Sequence, residues 1–282
     1  MERGREAEET KRSMTELCLN TMNRSAWFDP RGNPDLPAQV AAAARAGFGS
    51  IGPDHYSIVR HVELGGSVAA LAGAIQEAGI RTFELPTWIV GGNLDEARDQ
   101  ARALYAVAEC LRPTFIQANV MAPVTHELIE LMRREGERFL DLGARLAIEY
   151  LPWLPEIRDL GATRSLLPRL ALEGAGICLD VWHFTHSGDT WDQLEDLTLE
   201  EIAYVQFDDH PPLESTDLAA ETVSRRALPG EGCFELDRFC ERVRAKGYTA
   251  PVSCEILSDA TRGMDPHRFA RQVFETSRRF WP

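Results

Sequence analysis

Two periods alternate along the chain. Short apolar runs stand at 16–22 (ELCLNTM), 48–52 (FGSIG), 80–85 (IRTFEL), 115–120 (FIQANV), 145–150 (RLAIEY), 176–181 (GICLDV), 202–207 (IAYVQF) and 251–256 (PVSCEI), as buried strands require. Between most of them, apolar positions recur at helical spacing and predict helices over 35–46, 66–78, 94–111, 126–142, 191–198, 235–246 and 265–280. Asp35 with Pro37, and Asn93 with Asp95 and Glu96, mark helix starts. Gly47, Gly79, Gly143 and Gly247 stand just before the next apolar run, where a helix stops. The segment 156–173 is ambiguous, because Gly161 interrupts it and Pro168 falls inside it.

Eight strand-like runs alternating with helices, with no block of strands alone, predict an α/β protein, a single (β/α)8 TIM barrel over residues 14–282. An open doubly wound sheet is the competing topology. The charged segment 1–13 is expected to be flexible. Neither GxGxxG nor a Walker-type loop is present, so the common nucleotide folds lack their phosphate-binding glycines.

Charge narrows the partners. Forty-four acidic against 30 basic side chains give a formal net charge of −14, which argues against nucleic acid and against an anionic membrane. A small neutral or weakly anionic substrate fits better, and a homo-oligomer is compatible with the sequence. The six cysteines form no C-x-x-C pair, and Cys18, Cys178 and Cys254 fall within predicted strands as small buried thiols. The N-terminal stretch lacks the apolar core of a secretory signal, so a cytoplasmic location is expected.

Four of the runs in the second half close on a side chain that binds divalent cations: Glu149, Asp180, Gln206 and Glu255. In a parallel barrel all four emerge at the same end, the end that carries the chemistry. Any one of them alone is as readily a helix N-cap. Four on consecutive strands form an oxygen-rich donor set suited to Mn²⁺, Mg²⁺ or Co²⁺ and unlike a sulfur-rich zinc site. His183, three residues after Asp180, brings an imidazole to the same mouth. Either Arg225 or Arg226, in the loop SRRALPGEG, is placed to reach a hydroxyl, carboxylate or phosphate. Trp27, Trp88, Trp153 and Trp182 follow predicted strands, where an aromatic face stacks on a sugar or cyclitol ring.

The set IEYLP, LDVWH, VQFDD, LPGEG and CEI, in that order and spacing, resembles the xylose-isomerase-like TIM-barrel superfamily of sugar phosphate isomerases and epimerases. The resemblance covers the chain from residue 16 to its end. It implies that Glu149, Asp180, Gln206 and Glu255 bind one divalent metal, foremost Mn²⁺, that Glu149 and Glu255 also shuttle protons, and that His183 and Arg226 contact substrate oxygens. Gln206 stands where relatives often carry His, and Asp208 and Asp209 where they often carry one Asp. Asp54 and His55, in IGPDHY, take the place of a glutamate that closes strand two in many relatives. The roles of His186 and His210 stay open.

The implied reaction is proton abstraction beside the carbonyl of a keto sugar, cyclitol or related polyol through a metal-stabilised enediolate. Returning the proton gives an epimerase or isomerase. Losing a β-hydroxyl instead gives a dehydratase of a cyclic keto-polyol, such as an inosose or 3-dehydroshikimate. An endonuclease IV-like DNA repair enzyme shares the barrel but needs a three-metal cluster with more histidines and a cationic face.

Overall fold

All eight expected strands form, and every pairing between neighbours is parallel. A computed structural model describes residues 14–282, and the expected flexible segment 1–13 lies outside the described residues. The elements run β1 (Leu17–Asn20), α1 (Leu36–Ala46), β2 (Ser50–Gly52), α2 (His55–Glu63), α3 (Val68–Glu77), β3 (Arg81–Thr82), β4 (Glu84–Val90), α4 (Leu94–Leu111), β5 (Phe115–Val120) and α5 (His126–Asp141). They continue through β6 (Arg145–Glu149), α6 (Leu160–Leu170), β7 (Gly176–Asp180), α7 (Val181–His186), α8 (Trp191–Asp196), β8 (Ile202–Phe207), α9 (Leu218–Ser224), α10 (Leu236–Ala245), β9 (Val252–Cys254), α11 (Asp259–Arg262) and α12 (Pro266–Ser277).

The nine strand segments are ordered β3-β2-β1-β9-β8-β7-β6-β5-β4. β3 and β4 are halves of the third predicted strand, broken at Phe83. The Phe83 N–H donates to Ile51 O at 3.0 Å, and its own carbonyl accepts from Phe115 N at 3.0 Å. One residue thus joins the two ends of the sheet, and the chain closes as the expected (β/α)8 barrel. The third strand runs on to Val90 rather than stopping at residue 85, with its register shifted between Leu85 and Trp88.

Local chemistry accounts for the helix ends. Asn93 accepts from the N–H groups of Asp95 and Glu96 at the start of α4, and Gly47 ends α1 at φ 106°, a conformation a Cβ would strain. The ambiguous segment contains α6, capped by Asp159. Gly161 lies in its first turn, and Pro168 costs one hydrogen bond two residues before the helix ends. The helices α2, α7, α9 and α11 fall outside the predicted segments. Apolar side chains pack in two separate clusters, one between strands and helices and one inside the barrel. No single helix among the described residues is long and apolar enough to cross a membrane.

Candidate metal centre and active site

Strand alternation builds the site. The barrel's interior cluster contains Cys18, Phe115, Ala147, Cys178 and Tyr204. Two residues further along the same five strands, and so on the same face, stand Asn20, Gln117, Glu149, Asp180 and Gln206, all polar and all buried. Glu255 joins them just past β9. The four expected ligands therefore do meet at one end of the barrel.

Each carboxylate keeps one oxygen on amide donors and brings the other to His183 or Arg226. Glu149 Oε2 accepts from Asn119 Nδ2 at 2.7 Å and from Gln117 Nε2, while its Oε1 lies 3.4 Å from His183 Nε2. Asp180 Oδ1 accepts from the N–H groups of Trp182 (2.6 Å) and His183 (3.3 Å), capping α7, while Oδ2 lies 2.8 Å from Arg226 Nη1 and 3.7 Å from His183 Nε2. The capping role and the central role of Asp180 thus coexist, one oxygen each. Glu255 Oε1 accepts from Asn20 Nδ2 at 3.0 Å, and its Oε2 lies 3.3 Å from Arg226 Nη1.

The donor set fits a divalent cation. Gln206 Oε1 faces only acceptors, Glu149 Oε1 at 2.5 Å and Asp180 Oδ2 at 3.2 Å. In one orientation the amide donates to both; in the other it offers a third oxygen beside the two carboxylates, as a divalent cation would use. Donor atoms of Glu149, Asp180 and His183 also lie within 4.8 Å of one another, so His183 is a further candidate ligand. Burial would raise the carboxyl of Asp180, but Arg226 and His183 outweigh it and hold it below the usual range. Burial pushes Glu255 well above its usual range, against Arg226 and with Glu149 and Asp180. The cluster carries more negative charge than Arg226 balances.

A cavity of about 340 Å³ opens above the cluster, with Gln117, Asn119, Glu149, His183, Arg226 and Glu255 among its lining residues. Trp27 and Trp153 line it too. Trp88 and Trp182 do not: Trp88 faces outward and donates to Ala97 O at 2.8 Å, and Trp182 is fully buried between His183 and His186. Asp54 is spent on Thr21 Oγ1 and Ser25 Oγ, both at 2.6 Å, and on the cap of α2, so it does not face the cavity. His55 is absent from the lining as well, and its neighbour Tyr56 takes that place. His186 packs on Trp182, and burial with nearby His210 lowers it to about 4. His210 Nδ1 meets Pro211 O at 2.5 Å, behind the site.

The paired aspartates divide. Asp208 binds Arg226, and Asp209 accepts from the N–H groups of His210, Gly230, Gly232 and Phe234, which fixes the LPGEG loop. Sequence reasoning missed Asn20, Gln117 and Asn119, which orient the two glutamates. A signal existed: in FIQANV two amides share the face of Phe115, an unusual cost inside a buried strand.

Known proteins resemble this chain. It aligns with the 3-dehydroshikimate dehydratase of Pseudomonas aeruginosa at 28% identity over 176 residues, 61% of this chain and 27% of that protein. It aligns with the inosose isomerase of Halalkalibacterium halodurans at 26% identity over 117 residues, 41% of this chain and 40% of that protein. The matches thus span about a quarter to two-fifths of the length of these curated relatives. In fold it is similar to the zinc-bound IOLI protein, with a TM-score of 0.81 at 15% identity over 94% of this chain and 97% of that one. The family model described as xylose isomerase-like TIM barrel matches residues 40–280, and the chain belongs to that family.

Proposed function

We propose that the protein is a divalent-metal-dependent enzyme that removes a proton beside the ketone of a keto sugar, cyclitol or related polyol, acting as an isomerase or epimerase. The observation that carries this reading is a pair of buried glutamates, Glu149 and Glu255, both lining one cavity and both held by side-chain amides. Glu149, Asp180, Gln206 and Glu255 would hold the cation, which we take to be Mn²⁺ with Mg²⁺ or Co²⁺ able to serve; when bound, it supplies Lewis-acid polarisation of the ketone.

The chain's own groups do the rest. One glutamate takes the proton from carbon, and the other returns one from its side of the cavity, which inverts the centre. Return to the neighbouring carbon interconverts aldose and ketose. Gln117 and Asn119 fix Glu149, and Asn20 fixes Glu255, so neither base has to reorganise as charge moves. His183 and Arg226 line the same cavity and would donate to substrate hydroxyls.

A dehydratase is the second reading, favoured by the alignment with a 3-dehydroshikimate dehydratase. It shares the first proton transfer and then expels a β-hydroxyl, which the second acid protonates. The endonuclease reading loses ground, since the metal-ligating acids and histidines form one cluster among the described residues.

A screen of keto sugars, inososes and 3-dehydroshikimate with Mn²⁺, and with EDTA as control, tests the proposal. Solvent deuterium incorporated without loss of water identifies the isomerase or epimerase, and a dehydrated product with new ultraviolet absorbance identifies the dehydratase. Glu255→Gln should lower either reaction by about 10²–10⁴-fold with the circular dichroism spectrum unchanged. Turnover near the unmutated rate in that variant would refute the proton-transfer role.

A further inference from the structure

The cavity is polar at its floor and apolar at its wall. Among the described residues, the charged side chains lining it are Glu149, Glu255 and Arg226, with His183 the one other ionisable group on the floor. Arg226 is 2% exposed and already committed. Its Nη1 donates to Asp180 Oδ2 (2.8 Å), to Asp208 Oδ2 and to Glu255 O (3.2 Å), its Nε to Thr222 at 3.2 Å, and its Nη2 to Thr222 Oγ1 at 2.9 Å. One N–H remains, enough for a hydroxyl and too few for the bidentate grip an anion takes. The other arginine of the loop, Arg225, is bound to Glu221 and to Glu214 (2.7 Å) and is not among the lining residues.

The ion pairs agree. Asp180, Asp208 and Glu255 all stand on Arg226, so its charge is spent on the protein's own carboxyls rather than offered to a phosphate or carboxylate.

The wall comes from four separate segments. Trp27 and Phe28 follow β1, Tyr56 lies in the first turn of α2, Met121 follows β5 and Trp153 follows β6, and all five line the same cavity. Trp27 and Phe28 pack edge to face with ring centroids 4.8 Å apart, so this side of the mouth is set in place by the protein itself. Trp27 nevertheless stays 47% exposed and Met121 43% exposed. One stacking ring suffices for the apolar face of a polyol; here aromatic and thioether groups reach the cavity from four segments.

We infer that the substrate is an uncharged keto-polyol bearing an apolar substituent, an aryl or alkyl group that lies against Trp27, Phe28, Tyr56, Met121 and Trp153 while the polyol meets the floor. This deepens the proposed function and rests on it for the identity of the reacting floor.

Equilibrium binding to the Mn²⁺-loaded protein tests it without turnover. Three non-reacting probes are titrated by calorimetry: phenyl β-D-glucopyranoside, methyl β-D-glucopyranoside and methyl β-D-glucopyranoside 6-phosphate. The phenyl glycoside should bind about tenfold or more tightly than the methyl glycoside, and the phosphate ester no more tightly than the methyl glycoside. Trp27→Ala should weaken phenyl binding about tenfold more than it weakens methyl binding, with the melting temperature unchanged. A phenyl glycoside that binds no better than the methyl one, including binding of neither, overturns the inference, and so does tightest binding of the phosphate ester. Failure here leaves the deuterium-incorporation test of the reaction untouched, and failure of that test leaves the binding result readable.

Discussion

Glu84 illustrates how far a single side chain departs from what its local sequence suggests. It sits in IRTFEL as one acid among strand residues, yet it is fully buried, and its Oε2 has no hydrogen-bond partner. Burial raises it from 4.5 to about 7, with Ser253 and Tyr204 opposing through hydrogen bonds and Glu149 adding repulsion. The folded state therefore prefers the protonated acid. Its contribution to stability is complete below about pH 4.5 and is lost as pH rises through about 7. The interval corresponds to about 3 kcal/mol. Glu84→Gln cannot titrate, so its unfolding free energy should fall less between pH 5 and pH 8 than that of the unmutated protein, by up to about 3 kcal/mol. Urea unfolding at a series of pH values in EDTA reads this directly, and parallel pH profiles would exclude it. The sequence could not disclose this environment, because Cys18, Tyr204 and Ser253 reach Glu84 from three other strands.

Among elements, legibility followed locality. The helix α4 was readable to the residue, because its Asn93 cap, acidic first turn and apolar stripe are all contiguous. The short helices around the mouth were not. Of these, α7 begins where Asp180 leaves a strand and caps it, and α2 is tied to the turn after β1 by the hydroxyls of Thr21 and Ser25 on Asp54. Their partners are distant in sequence, and each helix is too short to stand on propensity. The LPGEG loop lies between these cases: its glycines were visible and its anchor was not. A Cβ on Gly232 would come within 2.2 Å of Asp209 Oδ1 and 2.5 Å of His210 N, whereas one on Gly263 would meet nothing within 4 Å. Gly232→Ala should therefore destabilise the protein by about 1–3 kcal/mol, and Gly263→Ala should stay within about 0.5 kcal/mol of the unmutated protein. Equal unfolding midpoints for the two variants would show that Asp209 does not fix the loop.

At the scale of the molecule, repetition made the barrel legible and closure did not. Eight alternations announce the fold, but the ends of the sheet meet at Phe83, an ordinary strand residue in sequence, and the first and last helices close the outside where Phe48 packs on Phe274 with centroids 5.2 Å apart. The same closure concentrates charge. It brings Glu149, Asp180 and Glu255 from three strands into one buried cluster, within a chain already at −14. Folding without a counter-ion leaves that repulsion in the native state alone, because the unfolded chain spreads the same carboxylates through water. A divalent cation bound by the folded protein should therefore stabilise the whole barrel, by about 2.7 kcal/mol when free metal exceeds its dissociation constant a hundredfold. Melting curves with EDTA and with increasing Mn²⁺ should show a rise that saturates, and Glu149→Gln should both flatten that rise and raise the melting temperature in EDTA, since it removes one repelling charge. A variant that still gains the full stabilisation from Mn²⁺ would place the cation elsewhere in the molecule.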